Sequence, residues 1–260
     1  MRKSGVSFIF IFALLVAFAF FPLVILCILS FNETVMFPLK NFPTTKWYIQ
    51  LFQSSTAMGA IINSFIVAGV TTLVAVLLGI CGGFALVRTR FVGSRFFPGL
   101  LIMPMVIPYI IMGVGLLSFL LKVGVNLSLA TVIIGHILVA IPYSTLTLTA
   151  RFVGFDISLE EAAMDLGANK FTTFRKITLP LMMPGIIISA ILAFIISWED
   201  VSLATFLVGT DPTVPIYIYT TLARLPKNVP VLTALSTLMV AFAIVLAFVM
   251  RAVEKFELVK

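Results

Sequence analysis

Long apolar runs separated by short polar stretches dominate the chain. A membrane-spanning helix needs about 20 apolar residues. Six segments meet that length: Ser7–Leu29, Ile61–Val87, Gly99–Leu121, Ser128–Thr149, Leu181–Ala204 and Val231–Met250. The pattern predicts an all-α polytopic membrane protein, with one transmembrane domain over residues 1–260 and a core helical bundle over about 61–250.

The first and third segments need separate interpretation. The apolar run after Arg2 and Lys3 is too long for a secretory signal and is followed by no small-x-small cleavage site, which favours an uncleaved first helix. The third segment contains Pro104 and Pro108. Such breaks occur at membrane depth where neighbours or a water-lined cavity satisfy the backbone. A merely kinked helix is the alternative.

The positive charges orient the predicted helices. With the N-terminus inside, the inner segments carry twelve Lys and Arg residues and the outer segments carry five. Lys and Arg are enriched in cytoplasmic loops of membrane proteins. We therefore predict that both termini are cytoplasmic. This enrichment also explains the net charge of +7, so no nucleic-acid partner is expected.

The polar stretch 156–180 between the fourth and fifth segments, called here the polar segment, predicts a cytoplasmic helical insert. Ser158 and Glu161 fit a capping box. Gly167 suits a left-handed helix end, and Asn169 suits the cap of a second helix. One face of the first helix carries an apolar stripe formed by Leu159, Ala162, Ala163 and Leu166. A second face holds Phe171, Phe174 and Ile177.

The chemistry of the first helix favours docking to a protein groove. A helix lying on the membrane is usually rich in Lys and Arg and has large apolar anchors. This helix instead carries Glu160, Glu161 and Asp165, with alanines between them. Anionic lipid would repel these acids, so a membrane-surface helix is the weaker alternative.

The spacing of the polar segment resembles the EAA motif of bacterial ABC importer permeases of type I. The matching residues are Glu161-Ala162-Ala163, then Gly167, then Ile177-Thr178-Leu179-Pro180. Further positions resemble the C-type permease of spermidine/putrescine importers: Asn63-Ser64, Gly79, Arg88, Pro104, Pro108 and Trp198-Glu199-Asp200. Permeases for opines and other amines, aminoalkylphosphonates or ferric iron are similar outside the pathway.

The resemblance implies a multi-pass subunit of the bacterial inner membrane that moves a small solute, with a polyamine as the first expectation. The polar segment would be the coupling helix docking a cytoplasmic ATPase subunit, one of a pair. A second homologous permease and an extracellular substrate-binding protein would complete the importer. The expected docking residues are Glu161, Ala162, Ala163, Asp165, Leu166, Gly167, Phe171, Phe174, Ile177, Leu179 and Pro180.

The sequence offers no nucleotide-binding loop. The pattern G-x-x-x-x-G-K-[ST] is missing, and no Gly is followed by Lys. We therefore expect no cofactor on this chain, with ATP and magnesium bound by a partner subunit. No Ser/His/Asp set, metal cluster or catalytic carboxylate pair is recognisable, and Cys27 and Cys81 fall inside apolar runs. These features predict a chain that is not itself an enzyme.

Glu199 and Asp200 are candidate pathway residues because acids within membrane segments are costly and usually functional. They fall near the outer end of the fifth segment, where one or both would attract a cationic substrate. Interfacial acids in contact with Arg224 or solvent are the alternative. Trp198 would stack on a cation or anchor the interface. An ion-coupled carrier is the competing function, but carriers place ionisable residues near the midplane.

His136 in the fourth segment has two possible roles. A membrane histidine can relay protons, but this needs an acidic partner in another segment. The sequence suggests no such partner, so packing with a helix–helix hydrogen bond is the expected role.

Overall fold

The computed structural model describes residues 2–34, 37–224 and 229–258, and side chains from residue 8 to 253 within those ranges and at 255. Within this part the chain is helical: α1 Arg2–Ser30, α2 Lys46–Gln53, α3 Ser55–Arg88, α4 Phe97–Val106, α5 Tyr109–Lys122, α6 Leu129–Val153, α7 Ser158–Asp165, α8 Lys170–Thr173, a π-helical turn Phe174–Thr178, α9 Leu179–Glu199, α10 Ala204–Leu207, α11 Val214–Arg224 and α12 Val229–Leu258.

Five helical stretches in the described residues are long and apolar enough to cross a membrane, and a sixth crossing is possible if one bent pair counts as a span. The five are Phe8–Ser30, Ser55–Arg88, Leu129–Val153, Lys170–Glu199 and Val229–Val253. The all-helical fold class is confirmed. The inward orientation of both termini stays a prediction. Four of the charged residues that were counted for it lie outside the described part, namely the side chains of Arg2 and Lys3 and the residues Lys227 and Lys260.

The third predicted segment is broken rather than merely kinked. It consists of α4 and α5, which bend by 103° at a short break. The break falls at Ile107, which is extended at ψ 126°, and at Pro108, the residue before α5. Proline disfavours a helical conformation in the residue before it and has no N–H to donate. Pro104 lies inside α4 and does not end it.

Small residues hold α3, α6 and α9 close together. Ala75, Ala140 and Ala193, one from each helix, form a buried cluster. A Cβ atom on Gly79 of α3 would lie 2.8 Å from Cβ of Ser144 in α6. Such close approach of backbones is the usual packing solution in a bilayer, where the surrounding lipid is as apolar as the side chains.

The short helix α10 packs against α5 and α6 beyond the end of α9. Leu203 and Leu207 are fully buried there, together with Leu120 of α5 and Val132 of α6. This apolar cluster fixes the turn that follows Glu199. It therefore sets the geometry of the acids predicted for the pathway.

The described chain groups into two compact units. One contains the chain up to Met58 and residues Ile218–Val245, and the other contains Gly59–Tyr217 and the chain from Leu246 onward. The polar segment and the acids at the end of α9 both belong to the second unit. The prediction of one domain over 1–260 stays a prediction.

The close packing of α3 on α6 predicts unequal effects for the same substitution at two glycines of α3. Gly79→Val should destabilise the protein by about 1–3 kcal/mol, since the new side chain must displace α6. Gly69→Val is the matched control, because a Cβ there would meet no described atom within 4 Å. Thermal unfolding in detergent measures the difference, and equal transition temperatures for both variants would contradict this packing.

Candidate functional site

The start of the polar segment differs from the predicted capping box. Ser158 is the first residue of α7, and Ile157 occupies the cap position. The Ser158 N–H donates to Oδ1 of Asp156 at 3.0 Å. Hydrogen bonds from the Ser158 side chain and backbone lower the pKa of the Asp156 carboxyl. The capping prediction for Ser158 and Glu161 is therefore wrong, because the acid two residues before Ser158 accepts the free N–H.

Glu160 anchors α7 to the transmembrane helices. Its Oε2 lies 3.5 Å from Nη1 of Arg88 at the end of α3. Its Oε1 accepts a hydrogen bond of 2.6 Å from Oγ1 of Thr178, just before α9. The Arg88 guanidinium also lies over the Phe155 ring, 5.5 Å from its centroid. One carboxylate thus joins α7 to the ends of two spans.

The outer face of α7 and of the turn after it is uncovered in this chain. Leu166 is 90% exposed and Phe171 is 72% exposed. Ala163 is half-buried, and the remaining predicted docking residues of α7 and its turn are exposed: Glu161, Ala162, Asp165 and Gly167. An alanine-faced acidic helix with two bare apolar side chains beside it is a surface suited to a protein partner.

The glycine and asparagine of the polar segment adopt the predicted roles. Gly167 has φ of +89°, which side chains rarely tolerate. The Thr172 N–H donates to Oδ1 of Asn169 at 2.8 Å, capping α8. Both predictions are confirmed, and together they set the angle between α7 and the helix that follows.

The second half of the polar segment continues directly into the membrane helix. Residues Lys170–Glu199 form one helical stretch that includes a π-helical turn at Phe174–Thr178. The Leu179 N–H donates to the Phe174 carbonyl five residues back. This wider turn precedes Pro180 and Pro184, which have no N–H to donate. Phe174, Ile177 and Leu179 are half-buried, and Pro180 is exposed.

A second candidate region lies at the far end of α9, roughly 30 Å along the helix axis from Leu179. A cavity of about 550 Å³ is lined there by aromatic and acidic side chains, including Tyr109, Tyr143, Glu199 and Asp200. Tyr109 enters it because the break at Pro108 starts α5 at this depth. The broken third span therefore forms one wall of the cavity.

The two neighbouring acids have different surroundings. Glu199 is exposed, whereas Asp200 is buried. The Asp200 carboxylate accepts hydrogen bonds from the N–H groups of Leu203 and Ala204, with its Oδ2 at 3.1 and 2.8 Å. It therefore caps the start of α10. Glu199 is the exposed acid of the two, so it is the one that a solute in the cavity can reach.

His136 has the acidic partner that sequence reasoning did not find. Its Nε2 lies 3.3 Å from Oδ2 of Asp200. Its Nδ1 lies 2.7 Å from Oγ of Ser197 in α9. The expected helix–helix hydrogen bond is present, but the premise of no acidic partner is wrong. Asp200 follows α9 in the chain, and only the turn toward α10 brings it back to α6.

Trp198 is buried and packs among aromatic rings. Its ring lies 4.8 Å from that of Phe65 and 5.6 Å from that of Phe194, centroid to centroid. Of the three predicted pathway residues, Glu199 and Asp200 line the cavity, and Trp198 is not among its lining residues. Sequence reasoning missed the Glu160 anchor and Tyr109. The break at Pro108 was the available signal for Tyr109.

The family model and the similar proteins point to the same family of membrane transport proteins. A family model described as "Binding-protein-dependent transport system inner membrane component" matches residues 75–256. The chain is 32% identical to the spermidine/putrescine transport system permease protein PotC of Escherichia coli K12, over 92% of this chain and 90% of that protein. It is 31% identical to the putrescine transport system permease protein PotI of the same strain, over 89% and 85%.

A solved structure supports the fold. A chain from a bacterial ABC transporter involved in the import of the acidic polysaccharide alginate superposes with a TM-score of 0.75, covering 96% of each chain at 16% sequence identity. At this identity the likeness concerns the fold alone. It agrees with the all-helical membrane architecture described above.

If Glu160 anchors α7, replacing Glu160 should loosen α7, whereas replacing the adjacent Glu161 should not. Glu160→Ala removes the contacts to Arg88 and Thr178, so amide exchange in α7 should accelerate about fivefold, the equivalent of roughly 1 kcal/mol. Glu161→Ala is the control, since its side chain is exposed. Hydrogen–deuterium exchange of residues 158–165 measures the effect. Equal exchange in both variants would contradict the anchoring role.

Proposed function

Because this chain belongs to the family of binding-protein-dependent transport system inner membrane components, we propose that it is the permease subunit of an ATP-driven importer of polyamines. It crosses the bacterial inner membrane several times and forms part of the path for the solute. The observation that carries the proposal is α7 of the polar segment, which Glu160 anchors to two spans and whose outer face is exposed.

The polar segment is suited to receive force from another subunit. Glu160 ties α7 to the ends of α3 and α9, so displacement of α7 moves the two spans with it. The exposed face of Leu166 and Phe171 provides the contact surface. We place this face in the cytoplasm, against one of two ATPase subunits that bind ATP and magnesium and carry out hydrolysis.

The remaining partners follow from the same assignment. A second homologous permease pairs with this chain to enclose the path, and a substrate-binding protein delivers the solute from outside. The chain itself performs no chemistry on the solute. A secondary carrier is disfavoured because the exposed docking helix would have no role in it.

The cavity at the end of α9 supports a cationic solute. Glu199 supplies a carboxylate, and the rings of Tyr109 and Tyr143 supply faces that attract ammonium groups. Polyamines are flexible chains of such groups joined by short apolar stems. The relatives PotC and PotI carry spermidine/putrescine and putrescine in their names. An aminoalkylphosphonate carries an anionic phosphonate group, which fits this acidic lining less well.

Gly167→Val tests the docking role. A β-branched residue at φ +89° costs roughly 1–2 kcal/mol or more in backbone strain, which should distort the turn after α7. We expect the variant to insert normally but to co-purify with less ATPase and to lose transport. Gly124→Val is the matched control, because Gly124 is also left-handed at φ +76° and lies between α5 and α6.

Retention of full ATPase binding and transport by Gly167→Val would contradict the docking assignment. If Gly124→Val also lost ATPase binding and transport, backbone strain at a site away from α7 would be enough to cause the loss, and the effect at Gly167 would not be specific to docking. The measurement is the stoichiometry of the purified complex, followed by uptake in reconstituted vesicles.

Glu199→Gln tests the nature of the solute. Removing the carboxylate should raise the KM for spermidine about tenfold, since a hydrogen bond to a charged group contributes about 1.5 kcal/mol. Asp211→Asn is the control, because Asp211 is an exposed acid in the loop after α10 and does not line the cavity. Asp200→Asn is unsuitable, since it also alters the contacts of this side chain with His136 and with the start of α10.

The uptake assay uses labelled spermidine and putrescine, with an aminoalkylphosphonate and ferric iron in parallel. Saturable uptake of the polyamines, weakened only by Glu199→Gln, is the expected result. Uptake of ferric iron or the phosphonate without polyamine uptake would overturn the substrate while leaving the permease assignment intact.

A further inference from the structure

A second cavity lies behind α7, on the side opposite its bare face. It has a volume of about 270 Å³ and is lined by the last turn of α3, by α7 and by the start of the α8–α9 stretch. Of the predicted docking residues, only Phe174 lines it. Its charged lining residues are Arg88, Lys170 and Glu160.

The cations of this cavity are incompletely paired. Nε and Nη2 of Arg88 are buried and have no hydrogen-bond partner among the residues that the structure describes. Only Nη1 faces Glu160, at 3.5 Å. Buried guanidinium donors without an acceptor are costly. Lys170, at the start of α8, adds a second positive charge, so the lining carries one net positive charge.

The acid in the cavity does not supply the missing acceptor. Oε1 of Glu160 already accepts from Thr178, and Oε2 already faces Nη1 of Arg88. Nε and Nη2 expose almost no surface, so an anion in the cavity would pair with the Lys170 ammonium and with the overall charge of the Arg88 guanidinium rather than with these two donors.

The position of the cavity indicates the source of the anion. Arg88 is the last residue of α3 and Leu179 is the first of α9, so two spanning helices reach the membrane interface here. Lipid phosphates lie at that depth. Phe84, Phe174 and Met164 are the apolar lining residues of the cavity, and Phe84 is 38% exposed. Phosphate and acyl chain would thus each meet a matching surface.

We propose that this cavity is a binding site for the phosphate group of an anionic phospholipid, held by Arg88 and Lys170. Basic pockets between transmembrane helices bind such headgroups in other membrane proteins. The bound lipid fills the space between α7 and α3 and braces the polar segment from behind. The site is independent of the transported solute.

The test uses the full chain in nanodiscs of equal phosphatidylglycerol and phosphatidylcholine, with retained lipids counted by native mass spectrometry after extraction. Wild-type protein should retain phosphatidylglycerol preferentially. Lys170→Gln should lower this preference about fivefold, the effect of one basic residue at a membrane surface. Arg88→Gln should abolish it. Lys170→Gln leaves the Arg88–Glu160 pair intact, so its result does not depend on the stability of α7.

Arg175→Gln is the matched control, because Arg175 is an exposed basic residue of the π-helical turn and does not line the cavity. It should keep the preference within twofold of wild type. Equal loss in Arg175→Gln and Lys170→Gln, or no loss in Lys170→Gln, would overturn the proposal.

Two further arms distinguish the source of the anion. Excess inorganic phosphate should not strip the retained lipid, and displacement by it would assign the site to free phosphate instead. Adding the ATPase subunit should leave the lipid bound. Its release on ATPase binding would mean that the cavity receives an acidic side chain of that partner, which would overturn the lipid assignment but not the docking role.

Discussion

A lipid bilayer offers no hydrogen bonds to the backbone, so every turn of a spanning segment must satisfy itself or be satisfied by neighbours. The helical stretch Lys170–Glu199 meets this constraint in spite of two prolines near its start. A π-helical turn precedes the first of them, and the whole stretch of 30 residues stays helical. The second half of the polar segment and the cavity at Glu199 consequently lie at the two ends of one continuous helical stretch.

This continuity makes the two candidate sites mechanically related. Glu160 holds α7 against the start of the helix, and the Asp200 turn holds its other end against His136 of α6. Small residues along the middle let α3, α6 and α9 approach closely. If α7 docks another subunit as proposed, its displacement would reach the cavity wall through this closely packed bundle.

Much of this arrangement was predictable from the sequence. Apolar run lengths located the spans, and the left-handed Gly167 and the Asn169 cap followed from residue types with one dominant conformational use. The failures have a common cause. The pairing of Glu160 with Arg88 and the contact of His136 with Asp200 both depend on where distant segments meet. Local sequence patterns identify a residue that can break a helix, cap a helix or form an ion pair, but they do not identify the distant residue that it contacts.

The proposed function depends on contact between the bare face of α7 and a separate ATP-hydrolysing subunit. Photo-crosslinking from position 166 in native membranes tests it most directly, with position 92 in the loop after α3 as an equally exposed reference. We expect a crosslink from position 166 to a nucleotide-hydrolysing protein, at a yield well above that from position 92. Crosslinks from position 166 to lipid alone would contradict it.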